Sequence, residues 1–159
     1  MIKYDVAIIG SGPSGYVAAI RCAQLGLKTV LIEKYNTLGG TCLNVGCIPS
    51  KALLDSSHHY YEAAKHFETH GIEVSGLKIN FKQMIARKSE VVSITSGGIN
   101  FLMDKNKVTV LQGIGSFADA THITISKADG TSEKIEATNI IIATGSKPAM
   151  LPFIKMDKK

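Results

Sequence analysis

The chain has 159 residues, 45% hydrophobic and 19% charged, a balance that excludes a disordered polymer and allows one domain with a substantial core. Its 18 basic and 13 acidic residues give a net charge of +5, which suits an anionic ligand. The lysines are scattered, no basic stripe with interleaved aromatics occurs and Trp is absent, so nucleic acid is not the expected partner. No apolar run approaches the ~20 residues of a membrane span, and three cysteines are too few for a disulfide scaffold. A strand-like run starts at Tyr4, where a leader's apolar stretch would stand, so a reducing cytoplasm is the expected compartment.

In chain order, Val6-Ala7-Ile8-Ile9 reads as a short strand buried on both faces. Gly10-Ser11-Gly12-Pro13-Ser14-Gly15 follows and opens a helix to about Leu25, with Ala18, Cys22 and Leu25 as its buried stripe. Gly26 stands where a helix C-cap belongs, and Thr29–Glu33 is a second apolar strand. A right-handed crossover would pair the two strands in parallel. An irregular glycine-rich segment, 38–46, leads into a helix predicted over 49–69, with Pro49 in its first turn. Residues 71–80 read as a loop. A second amphipathic helix spans 81–103, with Met84, Lys88, Val91, Thr95, Ile99 and Leu102 in phase and Gly97-Gly98 as a weak point. From Lys107 the period changes to strands: 108–111, 122–126, a turn at Asp129-Gly130, 133–137, and a buried-type strand 139–143 ending in Thr144-Gly145.

The glycine motif follows a strand, opens a helix, and is followed by an acidic residue, Glu33, at the end of the next strand, 18 positions after Gly15. In a dinucleotide site Gly10 permits the tight turn, Gly12 the approach to a pyrophosphate, and Gly15 close packing of helix on strand. The helix N-terminus offers unpaired N–H groups to the phosphates, and Glu33 offers a carboxylate to a ribose diol. A plain glycine-rich turn with a solvated Glu33 is the competing reading, and spacing alone leaves NAD and FAD equally open.

Cys42 and Cys47 stand five residues apart at the entrance to a helix. In a regular helix such positions are about 8–9 Å apart by Cα, whereas a disulfide prefers less than about 7 Å, so a bridge requires a distorted first turn. Gly46 could supply it, and a strained bridge at a helix dipole suits a reducible catalytic dithiol. Two inert thiols, or two zinc ligands completed by His58 or His59, remain open. Cys22 reads as core. Lys51, one turn beyond Cys47, would place a cation beside a thiolate or an electron-rich ring.

The run Gly39–Lys51, GGTCLNVGCIPSK, resembles the active-site segment of the pyridine-nucleotide disulfide oxidoreductases. The likeness extends to the fingerprint, Lys105–Val108, the Gly113-Ile114-Gly115 turn and Ala143–Ser146. Within the family, Ile48–Leu54 is most similar to the dihydrolipoamide dehydrogenases; glutathione reductases carry a lysine at Ser50, and mercuric reductases are a nearer rival. The resemblance implies a Rossmann-like α/β FAD-binding fold, a parallel sheet plus a small antiparallel β-meander, over residues 1–148. Residues 149–159 would begin the connection to an NAD-binding domain. FAD would occupy Gly10, Gly12 and Gly15, with Glu33 on its ribose, Lys34, Gly39, Gly40, Thr41 and Cys42 lining it, and Lys51 near its reactive edge. Gly115, Thr144, Gly145 and Ser146 would add backbone contacts. Cys47 would be the flavin-proximal, charge-transfer thiol and Cys42 the thiol exchanging with dihydrolipoamide, with electrons passing to FAD and on to NAD⁺. No metal is implied. The implied partners are lipoyl domains of 2-oxo-acid dehydrogenase complexes and a second copy of the chain. The family's NAD-binding and dimerisation domains, with a His–Glu acid–base pair, have no counterpart in these residues, so full turnover by this chain alone is not expected.

Overall fold

The structure is a computed structural model and describes residues 1–147 and 149–154. The boundary expected at residue 148 and the stretch 155–159 lie outside the described residues. Strands β1 (Ile2–Ile9), β2 (Thr29–Glu33) and β3 (Thr109–Gln112) alternate with helices α1 (Pro13–Gln24), α2 (Gly40–Asn44), α3 (Cys47–Lys65) and α4 (Phe81–Lys105). A single 3₁₀ turn, Phe67–His70, follows α3. Strands β4 (Ile114–Phe117), β5 (His122–Ser126) and β6 (Ser132–Ile142) close the chain. The strand order is β3-β2-β1-β6-β5-β4, with β3, β2, β1 and β6 parallel and β6, β5 and β4 antiparallel. The expected parallel sheet and meander are therefore both present.

Side-chain alternation along β1 sends Ala7 and Ile9 to one face and Val6 and Ile8 to the other. The first face packs with Val30 and Ile32 against Ile123, Ile125, Ile135 and Ala137, so the meander covers that side of the parallel sheet. On the second face Val6, Ile8 and Leu31 meet Ala19, Leu38, Leu43, Ile99 and Met103 from the helical layer. Both faces of the central strands are thus buried, which is why their sequence reads as continuous apolar runs rather than alternation.

Several expectations change. The stripe of α1 turns on Gly15 and Ala19, with Cys22 half-buried, whereas Leu25 is exposed because the helix has already ended. The helix predicted over 49–69 starts at Cys47, and a separate short helix, α2, occupies the segment read as irregular. Gly97 and Gly98 do not interrupt α4; both lie on its open side, away from Ser96, Ile99 and Met103. Ile114-Gly115 is strand rather than turn, and β3 pairs in parallel with β2. The two strands predicted over 133–143 are one. Beyond Ala137 the outer edge of β6 has no strand against it among the described residues, so Ile141 and Ile142 are exposed instead of buried.

Candidate functional site

The C-terminal ends of β1, β2 and β6 converge on the Gly10–Gly15 turn. Gly10 has φ +101°, and a Cβ there would overlap the Ala143 carbonyl, so glycine is needed both for the turn and for the close passage of β6. A Cβ on Gly15 would overlap the Gly10 carbonyl oxygen, which is the expected close packing of helix on strand. Gly12 has open space over it. It is the N-cap of α1, no side chain caps that end, and Pro13 occupies the first helical position. The first-turn N–H groups and the positive end of the helix dipole therefore face that open space, which is the geometry a pyrophosphate needs.

Glu33 is buried, not solvated. Ser11 donates to its Oε2 twice, from the backbone N–H at 2.9 Å and from Oγ at 2.6 Å, and the Tyr35 N–H donates to Oε1 at 2.9 Å. A buried carboxylate held this firmly at the mouth of two strands fits the ribose-binding role. Lys34 is exposed, its ammonium 4.7 Å from the centre of the Tyr35 ring. Lys34, Tyr35, Gln112, Gly113, Lys127 and Glu133 are among the residues lining a cavity of about 930 Å³ beside Glu33. Gly115 lies in β4, where its missing side chain lets the strand settle on Ile9 and Ile32 at the fingerprint end of the sheet. Thr144 passes close to Gly10, whereas Gly145 and Ser146 lead on as exposed backbone.

The dithiol segment is fastened to this turn. The Gly39 N–H donates to the Ser11 carbonyl at 3.0 Å, and a Cβ on Gly40 would stand 2.7 Å from the Gly12 Cα. Asn44 Nδ2 donates to the carbonyls of Leu38 and Gly40, and Ser96 Oγ reaches the same Leu38 carbonyl from α4. Helix α2 ends at Asn44 with Val45 as its C-cap, Gly46 adopts a non-helical conformation, and α3 starts at Cys47. That break replaces the regular-helix spacing between the two thiols. Interaction with Cys47 first, then burial and the nearby Cys47 charge, raise the Cys42 pKa. Both cysteines are free thiols, Cys42 half-buried and Cys47 exposed. Thr41 is exposed on α2 and Lys51 is exposed on α3. Arg87 of α4 secures α3 by donating to the Ala52 carbonyl, Ser56 Oγ and Asp55. His58 and His59 stand beside Glu62 and Asp55 on α3, and no group of three metal-ligating side chains gathers among the described residues.

Sequence reasoning singled out the glycines, Glu33 and the thiols but missed Ser11, Asn44, Ser96 and Arg87. Ser11 and Asn44 lie inside the motifs, at positions where spacing assigns no chemistry; Ser96 and Arg87 come from a helix remote in sequence.

A doubly covered parallel sheet, a fingerprint turn with a buried acidic partner and an adjoining pair of thiols define a dinucleotide-binding disulfide oxidoreductase domain. The model of the pyridine nucleotide-disulphide oxidoreductases matches residues 4–159, and the chain belongs to that family. It is 52% identical to the mitochondrial dihydrolipoyl dehydrogenases of Mesocricetus auratus and Homo sapiens over 99% of its length, covering 33% and 31% of theirs. The chain therefore spans about a third of the length of the curated relatives it matches. Among solved structures it is similar to the Cu(II) complex of the HOCl-induced flavoprotein disulfide reductase RclA from Escherichia coli. The TM-score is 0.75 at 29% identity, over 96% of this chain and 31% of that one. The dinucleotide of this family site is FAD. The open approach at Gly12, the uncapped α1 terminus and the Glu33 carboxylate fit it. No helix among the described residues is long and apolar enough to cross a membrane.

Proposed function

We propose that this chain is the FAD- and dithiol-bearing part of a dihydrolipoamide dehydrogenase, which oxidises protein-bound dihydrolipoamide to lipoamide with NAD⁺ as the final acceptor. The observation that carries the reading is the pair of interacting free thiols, Cys42 and Cys47, on a segment packed against the nucleotide turn through Gly40 and Gly12. A dinucleotide module without redox chemistry has no use for two adjacent thiols there.

In the oxidised enzyme the two sulfurs form a disulfide. A dihydrolipoamide thiolate attacks Cys42 Sγ, and the Cys42–Cys47 bond breaks with its electron pair on Cys47. The second substrate thiolate then displaces Cys42 from the mixed disulfide, releasing lipoamide. Bound FAD supplies the two-electron relay from the dithiol to NAD⁺. The chain's own contributions are binding and placement. The α1 terminus holds the pyrophosphate, Glu33 the ribose and Lys34 the cofactor's flank. Gly39, Gly40 and Thr41 bring the thiols to it, and Lys51 presents a cation. Thr144, Gly145, Ser146 and Gly115 complete the backbone frame. Cys42, which retains its proton more tightly than an ordinary thiol, is the exchanging sulfur.

Residues 1–148 form the FAD-binding unit in this reading, and 149–159 lead towards an NAD-binding domain. Lipoyl domains of 2-oxo-acid dehydrogenase complexes and a second copy of the protein are the proposed partners. A reducing compartment such as the cytoplasm, or the mitochondrial interior named for the relatives, keeps the dithiol in play.

The test is the visible spectrum of the FAD-loaded protein before and after dihydrolipoamide. A long-wavelength absorbance band should rise on reduction in the unsubstituted protein. It should be lost in Cys47→Ser, while thiol exchange with substrate is lost in Cys42→Ser. Dithiol-dependent spectral change that survives both substitutions overturns the proposal.

A further inference from the structure

Ser11 has no role in the fingerprint as spacing defines it, yet it is fully buried and ties the fingerprint turn to two other parts of the site. Its N–H and Oγ both donate to Glu33 Oε2, and its carbonyl accepts from Gly39, at the head of the dithiol segment. A carboxylate has about four lone-pair sites. Ser11 fills both on Oε2, and Tyr35 N–H fills one on Oε1. One acceptor site, on Oε1, is left.

The geometry points to Ser11 as a positioning residue that latches Glu33 so that it accepts one hydroxyl of the cofactor's adenosine ribose, not both. This inference rests on the FAD site described above. The latch acts through charge-assisted bonds, one of them from a fully buried hydroxyl. Without Oγ, the carboxylate retains the two backbone donors but gains a free site on Oε2, and its fixed orientation towards a single hydroxyl is relaxed.

The experiment is a fluorescence titration of the full protein with FAD and with two FAD analogues, one lacking the adenosine 2′-hydroxyl and one lacking the 3′-hydroxyl. In the unsubstituted protein, one deletion should weaken binding about tenfold and the other by no more than about twofold, the difference expected of a single hydrogen bond to a charged group. In Ser11→Ala that preference should fall to about threefold or less, through loss of FAD affinity and not through better binding of the analogue. Ser11→Cys, of similar size and with a weaker donor, should lie between the two and serves as the test if the alanine variant fails to fold. In a Glu33→Gln background, Ser11→Ala should have no further effect on the preference, because the latch has lost the group it holds. A role for Ser11 in folding alone would lower affinity for all three ligands equally and leave the preference intact. That outcome overturns the inference, as does an equal cost for the two deletions in the unsubstituted protein. Failure of the unsubstituted protein to bind FAD at all would instead remove the cofactor reading, and the latch with it.

Discussion

Asp119 closes the β4–β5 turn by accepting from the N–H groups of Thr121 and His122, from Thr121 Oγ1 and from His122 Nδ1 at 2.8 Å. The Thr121 N–H first, and the His122 ring next, hold its pKa down to about 2. Asp129 and Glu136 are lowered too, Asp129 chiefly by the Thr131 hydroxyl and Glu136 by Lys3. A carboxylate whose folded pKa lies below its unfolded value contributes stability above the unfolded value, and that contribution is lost as pH falls through the folded one. All three carboxylates sit in the β4–β6 meander. Its amide signals, followed by NMR from pH 5 to 2, should lose dispersion together with those of β1 and β2, because β6 is shared by both layers. Asp119→Asn should remove its share of that acid sensitivity while leaving neutral-pH spectra near normal. An acid transition identical in the variant would assign the sensitivity to the other carboxylates. At this scale the sequence was uneven in what it disclosed. Glu33 was legible because its distance from the glycines is set by one βαβ unit, whereas the donors that hold it could not be seen from spacing.

Two helices end in the same motif with different residues at the critical position. After α1, Leu27 N–H bonds Cys22 O and Gly26 N–H bonds Ala23 O; after α4, Val108 N–H bonds Met103 O and Lys107 N–H bonds Asp104 O. Each is a Schellman closure with its penultimate residue in the left-handed region. The first uses Gly26, at φ +82°, and the second uses Lys107, at φ +57°, among non-glycine residues. A side chain in that region costs about 1 kcal/mol, which glycine avoids. Lys107→Gly should therefore raise the unfolding free energy by up to about 1 kcal/mol, and Gly26→Ala should lower it by about as much. Urea midpoints at constant m-value would check both, and a destabilising Lys107→Gly would refute the argument. The element layer was legible wherever periodicity was strong: the phase of α4 emerged correctly across its two glycines. It was opaque in 38–46, where α2 is too short to show a period and is held by Asn44 and Ser96. Residues 133–143 read as two strands because their apolar pattern changes at Thr138, although the backbone stays extended throughout.

At the scale of the whole molecule the two core faces were implied by the apolar runs, but the covering of one of them by the meander was not. Nothing local in His122–Ser126 says that Ile123 and Ile125 will meet Val30 and Ile32; that follows from where β6 leads the chain. Residues Ile135 and Glu136 of β6 are paired on both sides, with Ile2 and Lys3 in the parallel sheet and with Ile123 and His122 in the meander. Neither neighbour can separate without stripping the strand it shares with the other. The nucleotide-binding sheet and the hairpin layer should consequently unfold as one cooperative unit. In native-state hydrogen exchange, the amides of Ile135, Glu136 and Ala137 should be protected up to the free energy of global unfolding. They should exchange together with those of Ile8 and Leu31, while the ends of α3 and the 71–80 loop exchange by local opening.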